Sequence, residues 1–269
     1  MASPVLSAWA DAVEAWSGTG VPPSARALGL VRPGGRAPQR AWGPEAAAAL
    51  AAPGALAPYL DHTLLRPDAT EAEVEVLAAE ARNHGLAGAC VHPVNVPTLV
   101  RALEDCAVEP VSVIGFPHGA HRTEIKLLEA RRAADAGARA LDVVAPLGWL
   151  RAGEVDRVLS ELRALVTALS PVPVRLILET GLLAPRAVVL GAGLALAAGC
   201  DAVKTSTGFN GPGARPEDVV LLRAVVGAEL GVKASGGIRT AAQARALVAA
   251  GASLLGTSSS LALLGAGER

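Results

Sequence analysis

"PVRLILETGLLAPRAVVLGAGLALAAGCDAVKTST", residues 173–207, decides how this chain is read. It opens on a short apolar run, "PVRLILE", passes through a longer Ala/Leu/Gly-rich run, and returns to a second short run, "DAVKTST". Short, near-continuously apolar runs suit strands buried on both faces, as in a parallel sheet covered by helices. The middle run, "AVVLGAGLALAAGC", is too short to cross a bilayer and suits a buried helix closing at Gly199.

The same alternation extends in both directions. "YLDHTLL", "GACVHP", "PVSVIGF" and "ALDVVAP" precede it, and "GVKASG" and "SLLGTSS" follow. Between them lie segments of helical periodicity such as "TEAEVEVLAAEARNHG" and "GEVDRVLSELRALVTAL", several ending at glycine (Gly85, Gly137, Gly251). Thr70 and Glu73 have capping-box spacing, and Thr240 suits a simple N-cap. Strands in strict alternation with helices predict a parallel α/β fold, and eight such units predict a closed (β/α)8 barrel over residues 44–269. Residues 1–43 read as an N-terminal extension. It carries a short amphipathic helix (Leu6, Trp9, Val13, Trp16) on an irregular, mobile arm, whose tryptophans offer a surface for a homodimer.

Bulk properties narrow the function. A net charge of −1 offers no broad attraction to nucleic acid or an anionic membrane. The three cysteines lack C-x-x-C spacing, which points away from a structural zinc site or disulfide framework and toward a reducing cytoplasm. No His cluster has metal-ligand spacing, so neither metal nor cofactor is expected.

In a barrel of this kind the active site forms at the C-terminal ends of the strands. Asp61 and Thr63 fall there on the first strand, Cys90 and His92 on the second, Asp142 on the fourth and Glu179 on the fifth. Lys204 and Thr207 lie on the sixth strand, Lys233 and Ser235 on the seventh. Arg175 and Glu179 share a strand face and suggest a pair inside the barrel. Gly208, Gly236, Gly237, Gly256, Ser258 and Ser259 sit in loops that open helices, where backbone N–H groups can cradle a phosphate.

The lysines are the sharper signal. The chain has 24 Lys and Arg residues, of which only Lys126, Lys204 and Lys233 are lysine. Alternation sets Lys204 and Lys233 opposite Val203 and Val232, so both ammonium groups point inward if the valines meet the helices. Two such groups roughly 6 Å apart repel by about 2.8 kcal/mol at an effective dielectric near 20. Repulsion and desolvation together favour a free amine on one of them, able to form a Schiff base. Arginine cannot do this. Lys126 lies in the charged helical segment "RTEIKLLEARRAADAG".

Together "LDHTLLRPDAT", "CVHP", "VIGFPHGA", "ALDVV", "LILETGLL", "VKTSTGF", "VKASGGIRT" and "GTSS" resemble, in order, the deoxyribose-phosphate aldolase family. The resemblance spans about residues 58 to 260. It implies a metal-free class I aldolase that cleaves the sugar phosphate 2-deoxy-D-ribose 5-phosphate to D-glyceraldehyde 3-phosphate and acetaldehyde. By motif, Lys204 corresponds to the Schiff-base lysine, Lys233 to the cation beside it and Asp142 to the proton carrier. From their strand-end positions Asp61, Thr63, Cys90 and Thr207 are expected to line the substrate. Pro146, His92 and Asn210 depart from the family pattern, and the only Tyr is Tyr59. Two other readings stand beside the aldolase. One is a phosphate-binding barrel isomerase using Asp142 or Glu179 as base; the other is an inactive sugar-phosphate binder.

Overall fold

The computed structural model describes residues 4–18, 22–23, 40–52 and 54–265. The parts of the expected N-terminal arm at 19–21 and 24–39 lie outside the described residues. Eight strands form the sheet: β1 (Leu60–Leu64), β2 (Gly88–Val91), β3 (Glu109–Ile114), β4 (Ala140–Val144), β5 (Val174–Ile177), β6 (Ala202–Lys204), β7 (Gly231–Ser235) and β8 (Leu254–Thr257). Each pairs in parallel with the next, and β8 closes on β1, making the (β/α)8 barrel. The ladder of β5 stops at Ile177 and that of β6 at Lys204, so Glu179 and Thr207 belong to loops at the barrel mouth.

Helices cover the outside: α1 (Pro4–Ala15), α2 (Pro44–Ala49), α3 (Glu71–Asn83), α4 (Val96–Ala102), α5 (Thr123–Asp135), α6 (Leu147–Arg151), α7 (Val155–Leu169), α8 (Pro185–Ala198), α9 (Pro216–Val226), α10 (Ala241–Ala250) and α11 (Ser260–Leu263). Local signals set their limits. Thr70 and Glu73 form the capping box of α3, and Thr240 forms a second one with Gln243 where a simple cap is expected from sequence. Proline stands at the first turn of α2, α8 and α9, where its missing N–H costs no hydrogen bond. Gly199 ends α8 in the left-handed region.

The apolar core lies between strands and helices. Val203 and Val232 are both fully buried there, which turns Lys204 and Lys233 into the barrel. A smaller apolar cluster of Leu65, Cys90, Val111, Val113 and Ala140, with Phe116 against it, fills one side of the interior. Glycines leave room for the charged side chains on the other. A Cβ on Gly88 would come within 2.7 Å of Asp61 Oδ1, and one on Gly256 within 3.3 Å of Lys233 Cε.

The helix α1 packs on α8 through the stripe read from sequence: Leu6, Trp9 and Val13 are all buried. The Trp9 ring covers Gly193, where a Cβ would lie 1.9 Å from Cη2, so a bare helix surface is what seats the indole. Its Nε1 donates to the Pro23 carbonyl at 3.3 Å. Trp9 is thus spent on its own chain and is not free to join two copies, which corrects that expectation for this residue.

Candidate active site

Lys204 and Lys233 occupy paired positions of neighbouring strands, β6 and β7. Their side chains converge on one atom: Asp142 Oδ2 accepts from Lys204 Nζ at 2.7 Å and from Lys233 Nζ at 2.7 Å. The two nitrogens are therefore at most about 5.4 Å apart, a separation worth about 3 kcal/mol of repulsion at an effective dielectric near 20. The carboxylate between them, which the sequence alone did not place there, offsets that repulsion in the resting site. All three side chains are at most 2% exposed.

The polar cluster continues down the barrel. Lys233 Nζ also donates to Asp61 Oδ2 at 2.5 Å. Arg175 Nη1 donates to the same oxygen at 3.0 Å, and its Nη2 donates to Glu109. Arg175 is thus committed to Asp61, Glu109 and, at 3.8 Å, Asp142, and not to Glu179 as strand parity suggested. The physical reason is height: Arg175 sits at the N-terminal end of β5, while Glu179 lies past its C-terminal end. Asp61 faces this cluster and a lower cleft shared with Glu109 and Arg175, away from the mouth where Thr63 lies. Asp61 therefore supports Lys233 directly.

Burial works against charge on Asp142, but Lys204, Lys233 and Arg175 together hold its carboxyl well below its ordinary value of 3.8. Burial works against charge on Lys233 too, and there Asp142 and Asp61 prevail and hold it above its ordinary 10.5. A depressed carboxyl stabilises the fold at pH above 3.8 and loses that contribution as acid titrates it; a raised lysine contributes below 10.5 and loses it as pH rises. Melting curves of the protein and of Asp142→Asn should therefore differ by a constant amount from about pH 5 to 9. The difference should shrink in acid below 3.8; a gap that closes within the plateau would contradict the cluster. Cys90 is pushed up to about 11, first by burial and then by Asp142, so it lines the interior as a thiol and not as a nucleophile.

Above the cluster a cleft of about 330 Å³ opens at the mouth. It brings together Thr63, Thr207, Gly208, Gly236, Gly237, Gly256, Ser258 and Ser259, residues contributed by the ends of four strands. Gly236 has φ 95° and packs against two other glycines: a Cβ there would lie 3.0 Å from Gly213 Cα and 3.2 Å from Gly208 Cα. Sequence reading missed Gly213, although "GPGA" (211–214) signals a tight loop, and it missed Arg66 and Arg239, the two cations on the cleft wall. Arg66 is already paired with Asp68 and Glu73. His92 donates Nε2 to the Leu65 carbonyl at 3.0 Å and meets Phe116 edge-on. Among the described residues no His/Cys/Asp/Glu group is arranged to hold a metal ion. No helix among them is long and apolar enough to cross a membrane.

Thr207 lines the cleft, yet its donors point away from it. Its N–H lies 3.3 Å from both Glu179 oxygens and its hydroxyl donates to Glu179 Oε2. What Thr207 can offer a ligand is a hydroxyl lone pair and its methyl group, not a proton.

A closed (β/α)8 barrel with two buried lysines on one carboxylate, beneath a glycine-lined cleft at the C-terminal ends of the strands, has the layout of a barrel enzyme. Comparison with known proteins agrees. Residues 56–261 match the model of the DeoC/LacD family aldolases, and the chain belongs to that family. It is 45% identical over 218 residues to the deoxyribose-phosphate aldolase of Micrococcus luteus, covering 78% of this chain and 95% of the relative. With the deoxyribose-phosphate aldolase of a Cyanothece species it shares 48% over 209 residues, covering 78% and 91%. A solved structure of tetrameric deoxyribose phosphate aldolase from Aeropyrum pernix is similar at 37% identity and TM-score 0.77, covering 82% of this chain and 94% of that one. A solved structure from Coccidioides immitis is similar at 35% identity and TM-score 0.82, covering 98% of both chains. The chain is an aldolase, a lyase of carbon–carbon bonds.

Proposed function

We propose that the chain cleaves 2-deoxy-D-ribose 5-phosphate to D-glyceraldehyde 3-phosphate and acetaldehyde through a Schiff base on Lys204. The observation that carries this reading is the shared oxygen: Lys204 and Lys233 both donate to Asp142 Oδ2 at 2.7 Å. Because Lys233 and Arg175 remain on Asp142, Lys204 can release its proton without leaving that buried carboxylate unpaired. Lys233, held charged by two carboxylates, keeps a fixed cation beside the reacting amine.

The chemistry then follows. The neutral Lys204 amine attacks C1 of the open-chain sugar, the carbonyl oxygen takes a proton, and loss of water forms an iminium ion. The C3 hydroxyl loses its proton as the C2–C3 electron pair moves into the iminium, which becomes an enamine. Carbons 3 to 5 leave as glyceraldehyde 3-phosphate. Protonation of the enamine at C2 and addition of water release acetaldehyde and free Lys204. Asp142, in contact with both lysines, carries these protons. The glycine loops at Gly208, Gly236, Gly237 and Gly256, with Ser258 and Ser259, seat the phosphate, so binding at the remote end orients C1.

Glu179 is hydrogen-bonded to Thr207 and Asn210, so nothing in its surroundings favours the isomerase reading in which it acts as base. Borohydride reduction with acetaldehyde should add one stable two-carbon adduct, mapped by mass spectrometry to the peptide carrying Lys204. Active protein that yields no adduct would overturn the Schiff-base route.

A further inference from the structure

Glu179 is a buried carboxylate at the mouth that the proposed reaction leaves without a task. It is fully buried, and its backbone sits at φ 48°, ψ 59° in the left-handed region. That conformation is uncommon for a residue with a side chain, and such strain persists only where surrounding contacts hold it. No Lys or Arg pairs with it among the described residues. Its oxygens instead accept from three neutral donors: the Thr207 N–H, the Thr207 hydroxyl and Asn210 Nδ2 at 3.3 Å. Asn210 Nδ2 also lies 3.2 Å from the Pro117 carbonyl, and the Phe209 N–H donates to Thr207 Oγ1 at 3.1 Å. Phe209 in turn rests edge-on against Phe116, with centroids 5.2 Å apart.

These contacts tie the loop after β6 to Glu179, in the loop after β5, and through Asn210 and Phe209 to the loop after β3. The loop after β6 is the one that brings Gly208 to the cleft and packs it beneath Gly236. We propose that Glu179 is a positioning residue: acting through Thr207 and Asn210, it holds the 207–213 segment where Gly208 closes the phosphate end of the cleft. This inference rests on the reading of that cleft as the phosphate seat. Its consequence is selective. Freeing the loop weakens the hold on the phosphate, while the lysine cluster, held by Asp142 and Asp61, keeps its geometry.

The test compares full-length wild type, Glu179→Gln and Asn210→Ala on 2-deoxy-D-ribose 5-phosphate and on unphosphorylated 2-deoxy-D-ribose. Glu179→Gln turns an NH2 group toward donors and should raise KM for the phosphorylated sugar about tenfold, with kcat within about twofold. Its kcat/KM on the unphosphorylated sugar should stay within about twofold, so selectivity for phosphate falls by the change in KM. Asn210→Ala removes one strap from a partly exposed side chain. It should move KM in the same direction by about threefold, with an unchanged melting temperature, and it carries the test should Glu179→Gln fold poorly. Unmoved KM in both variants, or equal losses on both sugars, would overturn the inference. A wild type inactive on both sugars would overturn the aldolase reading and this inference together, whereas an active one with unmoved variants overturns this inference alone.

Discussion

Lys204→Arg is expected to lose at least ~10⁴-fold in kcat while its melting temperature moves by only a few degrees. Arginine keeps a positive charge facing Asp142, so the carboxylate retains three cations and the fold keeps its electrostatic balance. What is lost is chemistry. A guanidinium stays protonated and cannot add to a carbonyl to form an iminium ion. The site is 2% exposed, so the bulkier group also crowds the interior, which accounts for the small thermal shift. Steady-state kinetics and borohydride trapping check this, and the variant should carry no adduct at position 204. Turnover within about a hundredfold of wild type would show that the lysine acts only as a charge and would sink the Schiff-base mechanism.

Lys126→Met is expected to produce the largest stability loss, about 3–5 kcal/mol, or roughly 10 °C in melting temperature. Lys126 lies on α5 and is fully buried, although the helix around it carries several charges. Its Nζ donates to Glu161 Oε1 of α7 at 2.7 Å and to the Val144 carbonyl, at the end of β4, at 3.0 Å. Thr123 donates to the other oxygen of Glu161 at 2.7 Å. Methionine fills the same space but strands a buried carboxylate with one hydroxyl for company, and an uncompensated buried charge is the costly outcome. The double variant Lys126→Met with Glu161→Leu should regain most of the loss, because removing both charges removes the desolvation penalty with them. Thermal melts of the three variants decide the matter; a single variant that melts with wild type would mean the pair contributes nothing.

Lys126 also shows where sequence reading ran out. The scarcity of lysine is legible in the sequence, and the parity of Val203 and Val232 turns two of the three into the barrel, where both are buried. The third lies in a charged helical segment, "RTEIKLLEARRAADAG", whose pattern does not set Lys126 apart from its exposed charges. In the structure all three are buried, so this chain keeps lysine for the interior. Gly115, at φ 63°, shows the fit: a Cβ there would lie 3.1 Å from Lys126 Cε. Trp9 is a related case. Its helical stripe was legible, but that Gly193 would receive it was not, since nothing in either segment names the other.

The alternation of short apolar runs with helical segments, the inward parity of Lys204 and Lys233, and the glycine loops at the mouth were all determined by local sequence. Periodicity and turn chemistry act over a few residues and so can be read along the chain. Tertiary structure alone decided that one oxygen of Asp142 would receive both lysines, that Asp61 would reach Lys233 across 172 positions, and that Arg175 would serve the cluster instead of Glu179. Those meetings depend on how far each strand is staggered when the sheet closes on itself, a property of the whole barrel that no single segment encodes.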